Sequence, residues 1–316
     1  MINPKRVKLP DGRVLPYRPD PMEAYLGKAT IETPVAPQVS VPALNTQRQP
    51  ARSTATYQDA DILDARQLEG TEIVVVGAGA VGSYLTYFLA GAAALVIHLI
   101  DFDVIERRHT QGGRTIYEAG QVHQKKVFAA RDIVERQFPN STVRPYPYNV
   151  LDMPDAQLRL LAKRAAIVVN AIDDAAGILR VNDLFYWLTE VVYVALHPQA
   201  ASGHVILTVP PSACLRCSLD IASPGNIQTL HAEPGLGVDI RLVANHATTI
   251  ALEIILSKAT GRPIERWDIS KNIFYFANKR EQGLSPDGPG VHLQRAEKRP
   301  GCPICSVAPR NDFLRR

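Results

Sequence analysis

A glycine-rich turn within residues 73–82 is the feature that most constrains how this chain folds. The turn follows a β-branched run and contains three glycines, Gly77, Gly79 and Gly82. An apolar helix is predicted over residues 83–90, and a second buried strand over 94–100 ends directly before Asp101. Such a strand–turn–helix–strand unit directs backbone N–H groups towards a phosphate and an acidic side chain towards a ribose. The sequence therefore predicts a nucleotide site, although dehydrogenases share this turn.

Strands and helices alternate along the chain after this unit. Further strands are predicted over residues 142–148, 165–170, 191–195, 205–209 and 272–276, and helices over 122–137, 176–188 and 238–260. Alternation of this kind is typical of a parallel sheet covered by helices on both faces. The predicted fold class is therefore α/β, with a Rossmann-like, doubly wound and mostly parallel sheet.

Charged side chains follow several of the predicted strands. Asp101 and Asp103 follow one strand, and Asp173 follows a later one. Because the carboxyl ends of parallel strands meet at one crevice, these carboxylates and the glycine turn are expected to converge. Lys126 and the arginines of residues 107–114 lie on segments that come after such strands. Acidic groups for a ribose and a metal, beside basic groups for phosphates, favour chemistry on a triphosphate over hydride transfer.

Four cysteines form two Cys-x-x-Cys pairs, Cys214 with Cys217 and Cys302 with Cys305. Each pair is able to present two thiolates to one tetrahedral ion, so a shared structural zinc is predicted. Such a site would tether the C-terminal segment to the main domain. Two disulfides or four unrelated thiols are the alternatives.

Composition and charge exclude some classes of partner. The formal net charge is +4 over 316 residues, which is too small to indicate a nucleic-acid partner. No apolar run in the sequence approaches the roughly 20 residues of a membrane helix, and the polar N-terminus lacks a signal core. A cytoplasmic protein without a membrane partner is therefore expected.

Residues 1–65 differ from the remainder, because prolines recur and apolar periodicity is weak. They are predicted to form a Pro-rich arm, partly disordered or used for docking, ahead of a folded domain at 66–316. Residues 7–17 form a candidate hairpin that turns at Asp11 and Gly12. A solvated leader without a specific role is the alternative.

The chain resembles the ThiF/MoeB family, the bacterial relatives of ubiquitin-activating enzymes, over about residues 55–310. The resemblance is carried by residues 76–82, 101–103, 126–131 and 169–174 and by the two cysteine pairs. It implies an enzyme that uses ATP and magnesium to adenylate the C-terminal carboxylate of a ubiquitin-like protein or a peptide, releasing pyrophosphate. It also implies a homodimer, a substrate tail that ends in glycine, and a conjugating enzyme as a further candidate partner.

The resemblance assigns roles to individual residues. Nucleotide contacts are implied for Gly77, Gly79, Ala80, Gly82, Asp101, Asp103, Gln111 and Asp174, and catalytic roles for Lys126, Asp173 and Arg114. Within these sets Asp101 would bind the ribose, Lys126 the phosphates and Asp173 the magnesium. Asp174 stands where the family usually has asparagine.

One segment departs from the family pattern, which has an Asn-x-x-Arg-Gln run shortly after the Asp-x-Asp. A two-residue insertion would place Arg114 in the phosphate-binding role and His109 near the asparagine position. Alternatively, Arg107 or Arg108 binds the phosphate, or both belong to a solvated basic turn. In family dimers an arginine ahead of the first strand reaches the partner's active site. The candidates here are Arg48, Arg52 and Arg66, of which Arg52 is nearest in spacing, and a surface arginine without a role is the alternative.

Several assignments remain open at this point. An inactive scaffold that binds a partner and an NAD-dependent oxidoreductase are the alternative functions. No cysteine is left for a thioester once both pairs bind zinc. Structural roles are expected for His197, His204, Tyr186 and Trp187, and His231 is a candidate for contact with a substrate tail.

Overall fold

The computed structural model describes residues 65–219, 235–280 and 285–307, together with the backbone of two short strands near the N-terminus. The chain divides into two compact units, residues 1–49 and 50–316. In the first unit, β1 (Arg6–Lys8) pairs antiparallel with β2 (Val14–Pro16), which agrees with the predicted hairpin. The turn at Asp11 and Gly12 lies outside the described residues, and the arm's docking role stays a prediction.

The second unit is built on an eight-stranded sheet. Its strands are β3 (Glu72–Val76), β4 (Val96–Ile100), β5 (Thr142–Tyr146), β6 (Val168–Asn170), β7 (Val191–Leu196), β8 (Ser202–Thr208), β9 (Ile273–Ala277) and β10 (Gly290–Gln294). The spatial order is β10-β9-β8-β7-β6-β3-β4-β5. Five neighbouring strands pair in parallel, in the order β5, β4, β3, β6 and β7. Strands β8, β9 and β10 continue the sheet from β7 with antiparallel pairing. The predicted Rossmann-like, mostly parallel sheet is confirmed.

Helices cover both faces of the sheet. They are α1 (Ala80–Ala92), α2 (Lys126–Gln137), α3 (Asp155–Arg164), α4 (Ala175–Phe185), the short α5 (Leu215–Ser218) and α6 (Gly237–Thr260). Apolar residues of α1, α2 and α6 form one core layer with the sheet, and those of α3 and α4 form the other. Strand β3 is buried on both faces, which explains its continuous apolar run.

Helix α6 qualifies the expectation that no segment resembles a membrane helix. Among the described residues, it is long and apolar enough to cross a membrane by length and composition alone. In the structure it packs against α1, β7 and β8, and its buried side chains include Val243, Ala247 and Ile250. The helix is therefore an element of the core.

Three local predictions need correction. Helix α2 begins at Lys126 and not at residue 122, because His123 has a left-handed φ of 74° and Lys125 forms a β-bridge with Val104. Helix α3 was not predicted, although Leu158, Leu161 and Ala162 give it one buried stripe. Strand β10 was not predicted either, and it pairs antiparallel with β9 at the edge of the sheet.

Candidate functional site

A cleft of about 450 Å³ lies at the carboxyl ends of the central strands. Strand β3 pairs in parallel with β4 on one side and β6 on the other. The carboxyl end of β3 therefore lies at a topological switch point of the sheet, where such folds bind ligands. The predicted site residues that line the cleft are Gly77, Gly79, Ala80, Asp101, Asp103, Arg114, Lys126, Asp173 and Asp174. Gly82, in the first turn of helix α1, and Gln111, on an exposed turn, do not line the cleft. The nucleotide role of each residue stays a prediction.

The glycine turn forms the floor of the cleft. Gly77 has a left-handed φ of 99°, and a Cβ atom there would lie 2.8 Å from the Ala171 carbonyl oxygen. A Cβ atom at Gly82 would lie 1.9 Å from the Gly77 oxygen, so the turn folds back closely onto the first turn of α1. Gly79, by contrast, has no atom within 4 Å of an added Cβ and faces open space. Backbone N–H groups at this helix N-terminus are thus available to an anion.

Asp101 ties the end of β4 to the glycine turn. One carboxylate oxygen accepts the Ala78 N–H at 2.7 Å, and the other accepts the Asp103 N–H at 2.8 Å. Burial raises the pKa of Asp101, while Lys126 and the two N–H donors oppose that shift. Each oxygen keeps a further lone pair, which suits the acceptance of ribose hydroxyl protons.

Lys126 is a buried cation on the cleft wall, with 5% of its surface exposed. Its Nζ donates to Asp103 Oδ2 at 2.7 Å, and its backbone N–H donates to the Asp103 carbonyl at 3.0 Å. The neighbouring Lys125 donates from Nζ to the Phe102 carbonyl at 2.5 Å and does not line the cleft. Asp103 therefore orients the one lysine of this pair that faces the cleft.

The segment that departs from the family pattern forms a short 3-10 turn, Arg107–Thr110, followed by left-handed glycines at 112 and 113. Arg114 and Arg108 both line the cleft, whereas Arg107 is exposed and outside it. Arg108 pairs with Glu106 at 3.0 Å. The choice of a phosphate-binding arginine therefore narrows to Arg114 and Arg108.

Asp173 and Asp174 enter the cleft from the end of β6. Asp174 also caps helix α4, because its Oδ2 accepts the Gly177 N–H at 2.6 Å. Carboxylate oxygens are the ligands that magnesium prefers, so this pair fits the predicted ion. The capping role explains why an aspartate is suitable at position 174 whether or not it touches the ion.

The four cysteines form one buried cluster away from the cleft. Their Sγ atoms all lie within 4.8 Å of one another, with Cys214 and Cys302 at 3.6 Å and Cys217 and Cys305 at 3.4 Å. A disulfide needs about 2 Å, whereas four sulfurs at about 2.3 Å from one zinc stand about 3.8 Å apart. All four cysteines are free thiols, so the disulfide alternative is wrong, and the cluster fits a tetrahedral zinc.

Helix α4 and the residues after it hold the cysteine cluster in place. Asn182 accepts the Leu215 N–H at 3.0 Å, and Asp183 forms a two-point ion pair with Arg216 at 3.0 and 2.7 Å. Trp187 donates from Nε1 to the Ile304 carbonyl at 2.9 Å. The same helix therefore begins at the cleft, with Asp174, and ends beside the cysteines.

His197 and His204 form a hydrogen-bonded pair, and His197 also lines the cleft, so the structural role expected for this pair stays a prediction. His197 bonds Ser202 Oγ through Nδ1 at 2.8 Å and His204 Nδ1 through Nε2 at 2.9 Å. Burial, reinforced by His197, lowers the pKa of His204 to about 4. Tyr186 is fully buried beside the cysteines, in agreement with its predicted core position.

Some predicted residues are placed differently or are not described. His231, Arg48 and Arg52 lie outside the described residues. Arg66 is exposed on a 3-10 turn ahead of β3. The cleft also has walls that sequence reasoning missed, made by residues 148–151 after β5 and by Val194, Leu196, Ala200 and Ile240 on the β7 side.

Comparison with known proteins identifies the family. A family model described as the ThiF family matches residues 51–303, so the chain belongs to that family. The predicted ThiF/MoeB resemblance is thereby confirmed.

Curated relatives carry adenylyltransferase names. The molybdopterin-synthase adenylyltransferase of Salmonella typhimurium is 33% identical over 109 residues, which cover 34% of this chain and 42% of the relative. The adenylyltransferase and sulfurtransferase uba4 of Emericella nidulans is 23% identical over 252 residues, covering 76% of this chain and 49% of the relative. The chain thus spans less than half the length of these two relatives.

Solved structures share the fold. Escherichia coli MccB with ATP aligns with a TM-score of 0.59 at 17% identity, covering 76% of this chain and 68% of MccB. PaaA aligns with a TM-score of 0.54 at 16% identity, covering 76% of this chain and 70% of PaaA.

Proposed function

We propose that this protein uses ATP to adenylate the C-terminal carboxylate of a ubiquitin-like protein or a peptide, and releases pyrophosphate. The observation that carries the proposal is the convergence of the glycine turn, Asp101, Lys126, Arg114 and Asp173 on one cleft. Membership of the ThiF family and the adenylyltransferase names of relatives support it.

The cleft residues match the charge changes of this reaction. A substrate carboxylate oxygen forms a bond to the α-phosphorus, and the bond from that phosphorus to the bridging oxygen breaks as pyrophosphate leaves. Negative charge accumulates on the α-phosphate oxygens, and Lys126 and Arg114 supply positive charge that is positioned in advance. Asp101 fixes the ribose, which holds the two reactants in line.

Magnesium belongs to this proposal as well. Asp173, with Asp174 beside it, would hold the ion, which when bound neutralises phosphate oxygens. Asp173 carries this role more directly, because one oxygen of Asp174 is engaged in capping α4.

The apolar wall on the β7 side supports a polypeptide substrate. Val194, Leu196, Ala200 and Ile240 line the cleft beyond β6, away from the charged nucleotide side, and His197 is the polar member of this wall. An extended chain end would reach the α-phosphate along this wall. The structural neighbour MccB has been solved in complex with N-formylated MccA, which is consistent with a peptide substrate.

The acyl-adenylate is proposed to pass directly to a nucleophile from another protein or a small molecule. All four cysteines of this chain lie in the buried cluster, so none stands at the cleft. A homodimer, in which an arginine ahead of β3 completes the second cleft, a conjugating enzyme as acceptor and a cytoplasmic location are further parts of the proposal.

Intact-mass measurement tests the proposal. The protein is mixed with ATP, magnesium and a panel of small ubiquitin-like proteins and peptides that end in glycine. Wild-type protein is expected to add one adenylyl group to a panel member. The Lys126→Ala variant should form no such product, whereas the Lys125→Ala variant should form it as the wild type does. Equal product from both variants would contradict the site, and an inactive protein that retains NAD on purification would support the oxidoreductase alternative.

A further inference from the structure

One buried hydroxyl holds the backbone on both sides of Arg114. Tyr84 lies on helix α1, and 8% of its surface is exposed. Its hydroxyl donates to the Gly113 carbonyl at 2.7 Å and lies 3.1 Å from the Thr115 carbonyl oxygen. The single phenol proton is therefore shared between the carbonyls directly before and after Arg114. Arg114 lines the cleft, whereas Tyr84 does not.

A second donor reaches the same loop from helix α6. Arg241 Nη2 donates to the Gly113 carbonyl at 3.4 Å. The Arg241 guanidinium also lies over the Tyr84 ring, with 5.2 Å between Cζ and the ring centroid, and a cation in that position is attracted by the ring. Tyr84 and Arg241 therefore form a two-residue clasp on the loop that precedes Arg114.

The loop under this clasp has little conformational preference of its own. Gly112 and Gly113 have left-handed φ values of 64° and 62°. Because glycine visits many backbone conformations at similar energy, contacts and not local sequence fix this one. The contacts are close, since a Cβ atom added at Gly237, in the first turn of α6, would lie 2.3 Å from the Gly113 carbonyl oxygen. Loss of a clasp residue would therefore let the Arg114 backbone move.

The clasp also connects the two sides of the cleft. Ile240, directly before Arg241 on α6, lines the cleft on its apolar side, and Arg114 lines it on the charged side. Tyr84 belongs to the helix that begins at the glycine turn. The distance between the two walls thus depends on contacts that lie behind them. Such distances matter, because small misplacements of reactants reduce rates strongly.

We propose that Tyr84 and Arg241 are positioning residues, which hold the Arg114 backbone so that its guanidinium lies in the cleft before the nucleotide binds. This inference rests on the proposed ATP site and adds two residues that contact no reactant. A charge placed in advance needs no reorganisation during the reaction. A loop that becomes ordered only on binding reduces the affinity by the cost of ordering it.

A double-mutant cycle tests whether Tyr84 acts through Arg114. AMPCPP with magnesium is titrated into the full chain by calorimetry, and Tyr84→Phe, which removes only the hydroxyl, is compared in the wild-type and the Arg114→Gln backgrounds. In the wild-type background Tyr84→Phe should weaken binding roughly 2-fold to 10-fold, the equivalent of one hydrogen bond. In the Arg114→Gln background it should have no further effect, because residues that act as one unit are not additive.

Arg241 gives a second, independent arm, since its side chain is exposed and its replacement leaves the core intact. Arg241→Ala should weaken AMPCPP binding less than Tyr84→Phe does, and Arg241→Lys should restore most of the affinity. The matched control is Tyr186→Phe, which loses a hydroxyl bond to the Ser212 carbonyl beside the cysteine cluster. It should lower the Tm and keep the wild-type affinity. Thermal unfolding checks that each variant folds.

Several results would overturn the inference. Equal AMPCPP affinity of wild type and Tyr84→Phe would do so, as would a loss of equal size in both backgrounds, which indicates a merely structural role. Unchanged binding by Arg114→Gln would leave the clasp nothing to position. Each of these leaves the ATP proposal standing, whereas folded wild-type protein that binds no AMPCPP would reject both proposals.

Discussion

Replacing Lys126 by methionine tests the charge that the proposed chemistry most needs. Methionine keeps most of the buried aliphatic stem and removes the ammonium group, so packing changes little. The Nζ atom lies 2.7 Å from Asp103, and the lysine side chain is 6% exposed. The variant therefore removes a buried, pre-positioned charge and leaves Asp103 on the cleft wall without its cation.

Two magnitudes follow from this geometry. A unit charge at about 4 Å from a phosphate oxygen contributes about 4 kcal/mol at an effective dielectric constant of about 20, and losing such a group lowers rates by roughly 100-fold to 1,000-fold. The stability cost is smaller, because the Asp103 side chain is 46% exposed and water is able to solvate it. About 1 kcal/mol, or a few degrees in Tm, is expected.

ATP–pyrophosphate exchange, run with a protein or peptide that the wild type adenylates, measures the rate. Differential scanning calorimetry measures the stability. Lys125→Met is the matched control, because that side chain bonds the Phe102 carbonyl and does not line the cleft. A Lys126→Met rate equal to that of the control would refute the reasoning. A rate loss accompanied by unfolding would be resolved by Lys126→Arg, which restores the charge.

Three further predictions concern the turn, the cysteines and the histidine pair. Gly82→Ala should lose roughly 1–3 kcal/mol of stability and weaken AMPCPP binding, because its Cβ would meet the Gly77 carbonyl, whereas Gly79→Ala should keep the wild-type Tm. Cys302→Ser should abolish binding of zinc, measured by elemental analysis, and lower the Tm; unchanged values would exclude the site. Since the pKa of His204 is about 4 in the fold and ordinarily 6.5, stability should fall by up to about 3 kcal/mol as the pH drops between these values. Urea unfolding of His204→Gln should show a flatter pH profile, and an equally steep one would count against the assignment.

Local patterns explain why much of the cleft was predictable. The glycine turn and Asp101 directly follow buried strands, and Asp173 lies three residues after another. Parallel strands bring their ends together whatever else the chain does. The cysteine pairs were predictable from spacing alone. The cap at Asp174 carried a signal that was missed, because aspartate directly before a helix is a typical N-cap.

Features that depend on long-range packing were not predictable from the sequence. The ion pair of Asp103 with Lys126 joins residues 23 positions apart. Local spacing does not distinguish Lys126 from Lys125, and only the family resemblance singled out Lys126. The apolar wall combines the end of β7 with the start of α6. Strand β10 was missed because it follows a Gly- and Pro-rich stretch and four of its five residues are exposed.

The cysteine cluster brings together two pairs that stand 88 positions apart in the chain. With zinc bound, a cross-link over a loop of that length restricts the unfolded chain by an entropy worth about 5 kcal/mol near room temperature. This contribution raises the free energy of unfolding without requiring any change in the proposed nucleotide cleft. Metal supply would therefore set how many molecules survive heat or proteolysis, while each surviving molecule would turn over at its full rate.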